Sequence, residues 1–143
     1  MTHQSTHRMT RITTLLALVL ATSPALTDAI EITYWGAELE WFLETDASES
    51  GATGTFVVHA TWLENFRPVA TGEVTLRMHD RNGEVLSEAT AGLDREGIFA
   101  VPLILPEAGH YYLTAILKDA DDTHENTIGE VHIPGPQDHD PGH

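Results

Sequence analysis

Period-two alternation, in short bursts ended by turn residues, is the feature that most limits how this chain can fold. Residues 38–44 (ELEWFLE) set Leu39, Trp41 and Leu43 on one side, and Glu38, Glu40, Phe42 and Glu44 on the other. An extended strand gathers alternate side chains on one face, whereas a helix would scatter them around its axis. The rhythm recurs in 55–62, where Phe56, Val58, Ala60 and Trp62 share a face, and in 73–79, where Val74, Leu76 and Met78 point inward. It returns in 110–117, where Tyr111, Leu113, Ala115 and Leu117 are set against Tyr112, Thr114 and Ile116. Further strands are expected at 85–90, at 97–105 and at 128–133, with a short one at 30–35. Pro102 marks an edge or a bulge in its strand, because proline cannot donate to a ladder. The sequence Arg81-Asn82-Gly83-Glu84 reads as a two-residue hairpin turn, and 118–125 as an acidic loop. Seven or eight short strands with turn signals every eight to twelve residues predict an all-β fold: an immunoglobulin-like antiparallel β-sandwich.

The ends of the chain read differently. Residues 1–11 carry Arg8 and Arg11 and no acid, and 12–21 (ITTLLALVLA) form an apolar run too short to span a bilayer. Small residues then allow cleavage after Ala25 or after Ala29. We therefore expect a signal-peptide helix over 1–29, a sandwich over 30–133 and a flexible His/Asp/Pro/Gly tail over 134–143. Export implies a periplasmic location. With no cysteine the chain lacks a lipoprotein anchor, disulfides and thiolate metal sites. The formal charge of −15 repels phosphate backbones and anionic lipid heads, which disfavours nucleic acid and membrane surfaces as partners and favours cations and basic protein patches.

Nine histidines in 143 residues direct attention to metal. His139 and His143 lie in the tail beside Asp138 and Asp140, and His132 is near enough in sequence to complete a site with them. Imidazole and carboxylate together suit Zn²⁺, Cu²⁺ or Ni²⁺. A second candidate is His124 among the carboxylates of Asp119, Asp121, Asp122 and Glu125, although the spacing is not that of a calcium loop. His59 is expected to hydrogen-bond the backbone, and His79 and His110 to be ordinary strand-end residues. The methionines are Met1, Met9 and Met78, too few and too scattered for a soft copper(I) site. Trp41 and Trp62 fall on inward faces and are assigned to the core. No G-x-S-x-G, H-E-x-x-H or glycine-rich phosphate loop is present in the sequence, so no enzymatic activity is expected.

Taken in order, 38–44, the VHAT run at 58–61, Asn65-Phe66-Arg67-Pro68, Gly97-Ile98-Phe99, Ala108-Gly109, Thr123-His124-Glu125 and Gly129-Glu130-Val131 resemble one module. It is the N-terminal β-sandwich domain of the periplasmic adaptor (membrane fusion) proteins of heavy-metal efflux pumps of the RND type. The resemblance covers residues 30–133 and implies a stand-alone domain or a truncated adaptor. It also implies a non-catalytic role in transport: binding a divalent metal, or docking on an efflux component or another periplasmic protein. The alternative is a metal-independent interaction or structural sandwich.

Overall fold

The computed structural model describes residues 29–47 and 49–135. The expected leader up to residue 28 and the tail from residue 136, with His139, His143, Asp138 and Asp140, lie outside the described residues. Among the described residues no helix is long and apolar enough to cross a membrane.

Among the described residues nine strands follow in chain order: β1 (Ile30–Trp35), β2 (Leu39–Thr45), β3 (Thr53–Trp62), β4 (Arg67–Pro68), β5 (Glu73–His79), β6 (Val85–Arg95), β7 (Ile98–Ile104), β8 (Gly109–Asp119) and β9 (Asp122–Ile133). They pair antiparallel in the order β1-β2-β3-β7-β6-β5-β8-β9, and β4 pairs with β3 off this path. Because β1 also packs beside β9, the single ladder curls almost into a closed barrel. The count exceeds the seven or eight expected because a strand as short as Arg67–Pro68 leaves no periodicity to read.

Alternation decides what is buried. Leu39, Trp41 and Leu43 of β2, Val74, Leu76 and Met78 of β5, and Leu113, Ala115 and Leu117 of β8 are all sealed from solvent. Burying a large apolar side chain contributes about 1.5–3 kcal/mol, and a one-residue slip in any strand would turn the whole set outward. Register is therefore fixed by the core itself.

Strand β6 joins the two halves of the ladder. From Val85 to Gly92 it pairs with β5; at Leu93 and Arg95 it pairs with β7, across an irregularity between them. It is longer than the expected 85–90 because Ala91, Gly92, Asp94 and Arg95 carry no large apolar group to mark its second half. Beyond Phe99, β7 is laddered by β3 but no longer by β6. Pro102 sits in that half-free stretch, as a residue without an N–H donor should.

Two turns depart from expectation. The Asn82-Gly83 turn is not a two-residue loop. Asp80 Oδ1 accepts from the backbone N–H of Asn82 and Glu84, and the Asp80 N–H donates to Glu84 O. That carboxylate organises a wider loop in which only Gly83 takes a positive φ, 84°. The acidic loop at 118–125 is a hairpin instead: β8 runs to Asp119, β9 starts at Asp122, and Ala120 turns the corner at φ 51°. Its carboxylates are dispersed along the strands, with Asp119 accepting from Thr71 Oγ1 at 2.6 Å.

Candidate functional site

Among the described residues histidine and carboxylate meet at two places, both built on β9. The first is the seam where β9 faces the β1–β2 turn. His124 lies opposite Leu117 of β8, a core residue, so its ring is directed to the inner side of the sheet. His124 Nδ1 lies 2.6 Å from Glu38 Oε2, and the ring meets Trp62 edge-on, with centroids 5.2 Å apart. Two residues along, Asn126 accepts from Trp41 Nε1. A shallow cleft of about 240 Å³ opens here, lined by Glu38, His124, Glu125 and Asn126 among others. A carboxylate accepts, so Nδ1 is the donor, and in the neutral ring Nε2 carries the lone pair. His124 is thus placed in a strand, not in the expected acidic loop. Its carboxylate comes from Glu38, eighty-six positions away; Glu125 instead stands 3.9 Å from Arg77.

The second place is the opposite end of the β8–β9 pair, on the outer face. His110 and His132 are direct cross-strand partners, and their rings lie 4.5 Å apart at 34°. Glu130 shares their face, two residues before His132, with Oε1 3.4 Å from His110 Nδ1. Tyr112, next on the same face, stacks on His79 at 5.9 Å. His79 is already engaged at both ring nitrogens, by Asp80 O at 3.1 Å and Thr114 Oγ1 at 2.9 Å. That contact closes over Thr114, which in turn reaches Thr127 Oγ1 at 3.1 Å.

No family model, curated protein or solved structure matches this chain.

Of the sequence candidates, His132 and His124 fall at separate sites, and the four tail residues lie outside the described residues. His59 rests on Phe42, ring to ring at 5.4 Å, in place of the expected backbone hydrogen bond. Among the described residues no group of three or more His, Asp or Glu side chains stands ready around one point to hold a metal ion. What sequence reasoning missed are His110, Glu38 and Glu130. His110 and Glu130 become partners through strand register and Glu38 through closure of the barrel, neither of which a linear scan reveals. The hydrogen bond from Arg77 to Glu88 raises the arginine's pKa against an opposing desolvation, helped by the charges of Glu88 and Glu125. That network braces the outer face and reaches the rim of the His124 cleft through Glu125.

Proposed function

We propose that this chain is an exported, non-catalytic, immunoglobulin-like domain that binds a divalent transition-metal ion in the periplasm, akin to the N-terminal module of heavy-metal efflux adaptors. The strand order supports the architecture. β2, β3, β7 and the end of β6 follow the A-B-E-D order of such sandwiches, and β5, β8 and β9 the C-F-G order, with the first half of β6 as an added neighbour of C. A second support is Tyr111, near the start of the strand in the F position, whose hydroxyl donates to Glu107 O at 2.6 Å. That is the tyrosine corner of many sandwiches. The adaptor likeness itself rests on the ordered sequence segments.

The observation that carries the binding reading is the pair of imidazoles at the end of β9, His132 against His110, immediately before the segment that bears His139 and His143. Nitrogen donors beside carboxylates, on a chain of charge −15, attract and suit Zn²⁺, Cu²⁺ or Ni²⁺. Calorimetric titration of the purified chain with each ion tests it: saturable binding near one equivalent is the expected result, and no heat with any of the three defeats the reading.

A specific observation favours protein docking as a second reading. Trp35 is 60% and Phe66 74% exposed, at the β1–β2 and β3–β4 turns on the same end of the barrel. Phe66 is held at a φ of 55°, an unusual conformation for an aromatic residue. An efflux component or another periplasmic protein would dock there without metal.

A further inference from the structure

We infer that His110 and His132 together chelate one divalent transition-metal ion on the outer face of β8 and β9, with Glu130 orienting His110. The inference rests on the metal-binding reading and deepens it, because it moves the anchor of the site from the tail to a rigid pair of strands. Ladder position is the first argument. Residues directly opposite in an antiparallel pair hold their Cβ atoms about 4.5–5.5 Å apart, and His110 and His132 are such a pair. Two imidazole nitrogens bound to one Zn²⁺ at about 2.0–2.1 Å each are at most about 4 Å from one another. Rings whose centroids are 4.5 Å apart reach that spacing by side-chain rotation alone.

Glu130 supplies the second argument. A metal-bound histidine commonly gives its other N–H to a carboxylate, which fixes the tautomer and makes the ligating nitrogen more basic. With Glu130 Oε1 beside His110 Nδ1, Nε2 is the ligating atom of His110. Glu130 is therefore a positioning residue here, and water completes the coordination. Position of the neighbour is the third argument: His79 lies opposite Tyr112, two residues further along β8, so the site uses two histidines of that face and not three. Strand anchoring also lowers the ordering cost. Both ligands are fixed to one β-ladder before the ion arrives.

The test uses the full chain and Zn²⁺, with Cu²⁺ and Ni²⁺ in parallel. His110→Ala and His132→Ala should each raise Kd for Zn²⁺ at least about tenfold, and Glu130→Gln by about tenfold with unchanged thermal unfolding. The His139→Ala/His143→Ala double variant should still bind one equivalent. In NMR titrations the ring signals of His110 and His132 should shift together while those of His79 stay in place. Binding by His110→Ala at wild-type affinity, or His110 signals unmoved at saturation, overturns the inference. Loss of binding in the tail variant with His110→Ala unaffected also overturns it, but leaves a tail-based metal reading intact. A wild-type chain that binds none of the three ions overturns both.

Discussion

The indole Nε1–H of Trp41 donates to Asn126 Oδ1 at 3.0 Å, tying β2 to β9 beside the line where β1 and β9 approach to close the barrel. Trp41 is fully buried, so its N–H depends on that one carboxamide. Asn126→Ala should cost about 1–3 kcal/mol in urea unfolding, the penalty for an orphaned buried donor. Adding Trp41→Phe should cost less than it does in the wild-type background, because the donor is then gone as well.

Tyr111→Phe removes a single hydroxyl from the corner before β8. The ring stays in the core, while Glu107 O loses its donor at 2.6 Å. A loss of about 0.5–1.5 kcal/mol is expected, with an unchanged denaturant slope and native circular dichroism.

Gly72 leads into β5 at a φ of 106°, and a Cβ there would come within 2.6 Å of Lys118 O. Gly72→Ala should therefore destabilise by roughly 2 kcal/mol or more through strain and collision together. Gly83→Ala is the control: φ is 84° with open space around it, so only the conformational cost of about 1–2 kcal/mol applies. Equal losses at the two positions would show that the Lys118 contact carries no weight.

Arg77 bonds Glu88 at 2.7 Å on the outer face and stands 3.9 Å from Glu125. Arg77→Gln should cost no more than about 1 kcal/mol, and the difference should shrink in 1 M salt, where the screening length is about 3 Å.

How far the sequence foretold this molecule depended on the kind of signal. Where a strand buries one face, as in Leu39, Trp41 and Leu43 or Val74, Leu76 and Met78, alternation identified both the element and its inner side. Strands without large apolar residues escaped: the second half of β6 and the start of β9 carry Asp94, Arg95, Asp122 and Glu125, which look like loop until their backbones are seen in the ladder. The Asn82-Gly83 turn was placed correctly but typed wrongly, because the carboxylate of Asp80 chose the wider loop. At the candidate site His132 and His124 were singled out, yet their neighbours were not. His110 and Glu38 reach them by register and by closure of the barrel, and neither leaves a trace in local spacing.

Sharing β6 between both halves of the ladder carries a mechanical consequence. Detaching its first half from β5 would pull on the hold of its second half on β7, so neither half of the barrel can open without loading the other. Heat or force should therefore break the domain in one cooperative event, and a chain nicked between Gly92 and Leu93 should instead come apart in two.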